Sequence, residues 1–315
     1  MRKFIAAVFA VAFAASAALA QSSQAPTLRI VSEDGNRLPS ELMYGNTKVK
    51  PLRLRPGTNV PITIDDSDFF VQQHYVDFLS RFPDQSGFVF WQNDIDQCGS
   101  NAQCREVHRI NVSAAFFLSI EFQRTGYLVY KTYKAAFGNL PGKPVPVRRE
   151  TFMPDSRSIS KDIIVNTPGW ELALNANIDA YMQAFVQRSD FTAQFPTSMT
   201  GAQFVDKLFT TAGVSPTATE RNNAINAFGS GNTAGRAAAL RSVAESRTLD
   251  AAEKNRAFVL MQYFGYLKRN PDEGPDVDFA GYSFWLGKLD QFNGDFVAAE
   301  MVKAFINSTE YRTRF

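Results

Sequence analysis

One stretch of this chain occurs twice. Phe70-Val71, Tyr75, Leu79, Arg81, Pro83-Asp84 and Gly87 through Trp91 recur as Phe258-Val259, Tyr263, Leu267, Arg269, Pro271-Asp272 and Gly281 through Trp285. Such a repeat constrains architecture more than any local motif, because each copy is one supersecondary unit that buries its apolar face against neighbours. In the first copy Phe70, Val71, Tyr75, Phe78 and Leu79 fall on one face of a helix. Asp65, Asp66, Ser67 and Asp68 offer side chains to cap its start. Pro83 stops it, since proline lacks an amide proton and disfavours helical geometry in the residue before it. A second helix follows at once, with Asp84 as cap, Gly87 allowing close approach and Phe90, Trp91 and Ile95 as its stripe. The third carries Val107, Ile110, Ala114, Phe117 and Leu118 and ends in Ser119-Ile120-Glu121-Phe122. The C-terminal copy follows the same plan: Phe258–Leu267, then Phe284, Trp285 and Leu289, then Phe296–Phe305, closing on Ser308-Thr309-Glu310-Tyr311.

The copies differ at the turn, where the second inserts an acidic loop with Glu273, Asp276 and Asp278 between Pro271 and Gly281. A weaker echo lies between them: Phe204-Val205, Leu208-Phe209, Pro216, Ile225 and Arg236–Glu245, without the Arg, Asp or Trp. Gly138–Gly169 holds five prolines and no helical pattern of useful length, so it reads as an ordered crossover loop. Residues 21–66 hold two short β-like runs, Thr27–Val31 and Val60–Asp65.

At the N-terminus Arg2-Lys3, an apolar run from Phe4 to Ala17 and Ala18-Leu19-Ala20 have the order of a cleaved secretory signal peptide. No later stretch reaches the ~20 apolar residues of a spanning helix. Removing residues 1–20 leaves 31 Lys and Arg against 31 Asp and Glu. That balance argues against nucleic acid or an anionic membrane as the main partner, since both are recognised by concentrated positive charge. Cys98 and Cys104, the two cysteines, close a short loop that in an exported chain reads as a local disulfide. Adding His108 gives the competing pattern Cys-x5-Cys-x3-His, three zinc ligands without a fourth.

The string Phe-Val-x3-Tyr-x5-Arg-x-Pro-Asp-x2-Gly-x3-Trp, closed by Ser-x-Glu-Phe, resembles the bacterial domain of unknown function 4214. Here it is carried by Phe70, Val71, Tyr75, Arg81, Pro83, Asp84, Gly87, Trp91, Ser119, Glu121 and Phe122. Its second match is Phe258, Val259, Tyr263, Arg269, Pro271, Asp272, Gly281, Trp285, Ser308, Glu310 and Tyr311, departing by the insertion and by Tyr for Phe. The resemblance covers two clear copies and one degenerate one. It implies an all-α module similar to the phycobilisome linker domain, found in exported or cell-surface proteins and carrying no assigned catalytic residues. Members often adjoin calcium-binding glycine-rich repeats, and the Gly-Gly-x-Gly-x-Asp pattern of those repeats does not occur here.

The expected fold is therefore all-α, tandem helical modules behind a short irregular or β-like segment. The divisions are a signal peptide at 1–20, a linker or β-like segment at 21–66, helical module 1 at 67–137, a crossover loop and helix at 138–183, a degenerate central module at 184–250, and helical module 2 at 251–315. The only histidines are His74 and His108, and no nucleophile elbow, metalloprotease helix or phosphate-binding glycine loop occurs, so no enzyme is expected. His74 reads as a structural histidine, Arg81 and Arg269 as caps for carbonyls ending the first helix, and Asp84 and Asp272 as caps for the second. Trp91 and Trp285 read as core. Asp272, Asp276 and Asp278 are the candidate calcium ligands, although Ala280 and Gly287 fall where an EF-hand needs oxygen ligands. No cofactor is expected. The functional expectation is an exported, non-enzymatic binding or assembly protein of the cell envelope, whose partner is an envelope or extracellular protein or glycan. The alternatives are a calcium- or glycan-binding surface protein and an envelope hydrolase using paired carboxylates.

Overall fold

A computed structural model of the chain describes residues 28–32, 40–50 and 52–315, and the expected signal peptide lies outside them. The fold is mostly helical, as the stripes require. The N-terminal segment adds a small antiparallel sheet, β1 (Leu28–Ser32), β2 (Ser40–Tyr44) and β3 (Thr47–Lys48), in that spatial order. The second β-like run, Val60–Asp65, contributes only an isolated bridge from Pro61 to Leu54. Pro61 offers no amide proton to a ladder, which is why the run does not extend into a strand.

Module 1 begins with α1 (Ser67–His74), which runs without a break into one wide π turn, Tyr75–Leu79, and stops at Ser80 in the left-handed region (φ 55°). Module 2 does the same: α12 (Arg247–Gln262), a π turn at Tyr263–Leu267, and Lys268 at φ 58°. Each first helix thus ends three residues before its proline, and the proline shapes the turn after it. The second helices are α2 (Gln85–Asp96) and α13 (Ala280–Gln291). Third helices differ from expectation in both copies. In module 1, α3 (Ala102–Leu118) is broken at Ser119, whose hydroxyl accepts the Phe122 amide and opens a new short helix, α4 (Ile120–Arg124). Module 2 has α14 (Met301–Asn307), then Ser308 accepting the Tyr311 amide at the same 3.1 Å, then α15 (Thr309–Arg312). The Ser-x-Glu signature is a helix start, not a helix end.

Between the modules, α5 (Gly126–Phe137) is buried along nearly its whole length. Its Tyr130 hydroxyl donates to Glu253 (2.6 Å), and Lys134 also reaches that carboxylate (3.3 Å). The central region forms α9 (Gly201–Ala212), α10 (Ala218–Phe228) and α11 (Thr233–Ala244), with α9 and α11 packed on α5. A capping box starts both α9 and α10, and α9 ends at left-handed Gly213 without a π turn.

The Gly138–Gly169 stretch is not wholly loop. It contains α6 (Arg149–Ser160), with Pro154 in its second turn, and α7 (Trp170–Phe185) follows. The prolines masked a real stripe, Phe152, Met153, Ser156 and Ile159, all buried. α6 lies against both π turns: Phe152 packs on Phe264 of module 2 (5.4 Å), and Phe152, Met153 and Ser156 border a small cavity with Asp77, Phe78 and Gly265.

The modules meet at these turns. Phe78 packs edge-on against Tyr266 (5.0 Å), and Phe117 against Phe258 (4.6 Å). Buried in the seam is Asp77. Arg314 grips it with both terminal nitrogens (2.9 Å each), and Lys268 lies 2.8 Å from Oδ1. Burial alone raises a carboxyl, but Arg314 and Lys268 outweigh it and hold Asp77 below the usual carboxylate range. Burial also pushes Lys268 down to about 8 despite that partner. Among the described residues, no helix is long and apolar enough to cross a membrane.

Candidate functional site: a cleft over the repeated latch

The repeated residues converge on one latch in each module. In module 1, Arg81 donates from Nε and Nη2 to the two oxygens of Glu121 (2.8 Å each) and from Nη1 to the Phe82 carbonyl (3.0 Å) and Asp84 (3.3 Å). Its guanidinium sits over the Tyr75 ring at 4.9 Å. Asp84 Oδ2 in turn accepts the Gly87 amide (2.9 Å), capping α2. One arginine therefore ties together the end of the first helix, the start of the second and the start of α4. Bidentate arginine–carboxylate pairing has the geometry for such a joint. The expected cap by Asp84 is present, but Arg81 bonds the Phe82 carbonyl in the turn and not the carbonyls ending the first helix, because Glu121 and Asp84 draw its guanidinium past that helix; Glu121 pairs inside its own module, not between modules.

Module 2 rebuilds the latch with one substitution of role. Arg269 holds Glu310 (2.5 and 3.0 Å) and lies 5.3 Å from the Tyr263 ring centre. Its second carboxylate is Asp276 (2.8 Å), a residue of the insertion. Asp272, the counterpart of Asp84 by sequence, is drawn away by Lys143 and by Arg148 (3.2 Å). It does not cap α13, where instead Asp278 accepts the Ala280 amide (2.8 Å). Each carboxylate of the acidic loop thus has its own partner, and the three form no metal-binding group among the described residues.

Gly87 and Gly281 are required by the latch tyrosines. A Cβ on Gly87 would lie 2.2 Å from the Tyr75 hydroxyl, and one on Gly281 would lie 2.7 Å from that of Tyr263. Alanine in a helix ordinarily gains roughly 0.5–1 kcal/mol over glycine. Here overpacking, which costs about 1–3 kcal/mol, outweighs it. Gly87→Ala is expected to lower the thermal midpoint, and more than Gly281→Ala does; a rise in either melt would mean that the tyrosine moves aside freely.

Above the module 1 latch lies a cleft of about 400 Å³. Tyr75, Arg81, Asp84, Gly87, Trp91, Ser119 and Glu121 form its floor and one wall, and residues 164–167 form the other. Trp91 lies at the edge of the core: it is half-buried and packs on Phe116 (6.1 Å). Burial, with Asp84 nearby, pushes the Tyr75 hydroxyl up to about 12. Trp285 is likewise half-buried, against Phe305 (5.8 Å). On the cleft lining Ile120 is 58% exposed and Ile164 37%. The carboxylates lining the cleft, Asp84 and Glu121, are both on Arg81, and Glu121 retains only 4% of its side-chain exposure. The site can therefore offer apolar and aromatic walls over a floor whose two carboxylates share one arginine.

The repeat identified the latch residues, but it did not find the second wall. Ile164 to Thr167 come from the crossover, and nothing in their sequence marks them as neighbours of Trp91. No protein-family model, curated protein or solved structure matches the chain.

Proposed function

We propose that the protein is an exported, non-enzymatic binding or assembly protein of the cell envelope, built from modules of the domain 4214 type, and that the module 1 cleft is where it holds its partner. The observation that carries this reading is the contrast between floor and rim. The charged residues of the motif are taken up in holding three helix ends together, while Ile120 and Ile164 on the cleft lining stay exposed. Exposed apolar groups gathered around a concave site mark binding surfaces. The signal-like N-terminus supports a partner outside the cytoplasm.

A glycan is the second reading, favoured by the half-buried indole of Trp91 facing a cleft that also contains Ser86, Asn166 and Thr167. Aromatic faces combined with hydroxyl and amide groups suit sugar rings.

The test is capture from envelope extract by the mature protein and by its Ile120→Asp variant. Ile120 is exposed at the first position of α4, so the change leaves stability within about 0.5 kcal/mol. Capture of a defined component is expected to fall at least tenfold in the variant, with competition by soluble oligosaccharide marking the glycan reading. Equal capture by both proteins would remove the cleft from the mechanism.

A further inference from the structure

A second group of side chains lies apart from the cleft. Cys98, in the turn that follows α2, is bonded to Cys104 in the first turn of α3, with Cα atoms 5.5 Å apart. His108 is one helical turn beyond Cys104, on the same face of α3. The two sulfurs and a ring nitrogen of His108 all lie within 4.8 Å of one another, and all three residues are half-buried. We infer that these residues form a redox-gated site for a thiophilic divalent cation of the zinc type, closed while the cysteines are joined and competent once they are reduced.

The neighbours of His108 support the assignment. Its Nδ1 is 2.9 Å from Asp94 Oδ2. A carboxylate only accepts, so Nδ1 carries the proton and Nε2 keeps its lone pair for a ligand. A carboxylate behind a metal-binding histidine is the usual outer-shell partner, fixing the tautomer and the ring orientation. Cys104 is the third residue of a 17-residue helix whose N-cap, Asn101, accepts the Cys104 amide (3.1 Å). The positive end of a helix favours the thiolate that a metal needs.

Tetrahedral zinc, with Zn–S near 2.3 Å and Zn–N near 2.0 Å, places its ligand atoms roughly 3.5–3.8 Å apart. The reduced group reaches that spacing by small shifts. Gly99 is already left-handed (φ 54°), and Gly99, Ser100 and Asn101 are exposed, so Cys98 has room to move. Opening the bond takes two electrons and two protons from a dithiol reductant, which is left as a disulfide. Cation binding then releases the two thiol protons as two metal–sulfur bonds form, and His108 Nε2 supplies the third ligand. Water takes the fourth position, as in three-ligand zinc sites.

Cobalt(II) replaces zinc as a visible probe. The full mature protein is titrated with it as the disulfide and again after reduction, with circular dichroism recorded at each step. The disulfide form is expected to give no thiolate-to-cobalt charge-transfer band, and the reduced form to give that band together with tetrahedral d–d bands at one equivalent. His108→Ala should weaken binding at least tenfold, and Asp94→Asn by about 10- to 100-fold, with helicity unchanged. Reduced wild-type protein that takes up no cobalt, or that binds it equally well after His108→Ala, overturns the site. A full charge-transfer band with the disulfide intact overturns the gating. Neither readout depends on the cleft or its partner.

Discussion

Asp77→Asn is expected to destabilise the protein by about 3–5 kcal/mol, the range for removing one partner of a buried ion pair. The carboxylate is almost fully enclosed and faces two cations of the other module, Lys268 at 2.8 Å and Arg314 through both terminal nitrogens. An amide in its place leaves two largely enclosed positive groups facing a neutral one. The loss comes less from the attraction removed than from cations left without their counter-ion in a seam that solvent reaches only at its edge. The repeat itself supplies the control. Lys268 occupies the left-handed position that Ser80 occupies in module 1, so serine suits that backbone. Adding Lys268→Ser to Asp77→Asn should recover part of the lost stability, by removing one orphaned charge. Urea melts of the two single variants and the double variant measure the coupling. Strictly additive losses, or an Asp77→Asn loss below about 1 kcal/mol, would mean that contacts such as Phe78 on Tyr266 and Phe117 on Phe258, and not this ion pair, hold the modules together.

This seam shows what the sequence could and could not reveal. The apolar stripes, the proline turns and the Asp84 cap follow from local chemistry, and so they were legible. Ser119 and Ser308 were visible too, but as the last residues of a helix; distinguishing an end from a restart requires knowing that Phe122 and Tyr311 turn inward, and both are buried. Asp272 misled because alignment follows position along the chain. The insertion moved the carboxylate that meets Arg269 four residues on, to Asp276, and freed Asp272 to bind the crossover. The π turns had no local signature at all. They occur where two first helices press together, and the wider turn is sustained by that packing, not by propensity. Asp77 did leave a trace, an acid between Val76 and Phe78 on an otherwise apolar stripe, but its partners lie about 190 and 240 residues away. A large aromatic at a repeated position reads as core; Trp91 packs only on the core's edge, half-buried where the crossover passes.

Acid is expected to destabilise the seam through His74. The ring is buried in the seam among Phe70, Phe78, Phe116 and Tyr266. Nδ1 lies 2.8 Å from the Phe70 carbonyl, which can only accept, so Nδ1 bears the proton and Nε2 accepts from the Ser113 hydroxyl (2.8 Å). Protonating Nε2 would turn the Ser113 hydroxyl from donor to acceptor and bury a charge. Burial accordingly lowers the His74 pKa to about 4, with Asp77 raising it and Arg109 and Arg314 lowering it. The unfolded chain takes up this proton near pH 6.5, whereas the folded chain does not until near pH 4. Stability contributed by the neutral ring is therefore complete above pH 6.5 and is lost as pH falls from 6.5 to 4, on the order of 3 kcal/mol in all. The loss ascribed to Asp77 and other paired carboxylates begins only below their unfolded values near 4, so the two windows separate. Module 2 holds Gln262 at the equivalent position, and its side-chain amide donates to the Phe258 carbonyl (3.1 Å) as His74 does to Phe70. His74→Gln keeps that bond and cannot titrate. Chemical denaturation between pH 7.5 and pH 4 should show the wild-type stability falling across the window while that of the variant stays nearly level. Parallel curves for the two proteins would show that the acid sensitivity of the seam arises elsewhere than at this imidazole.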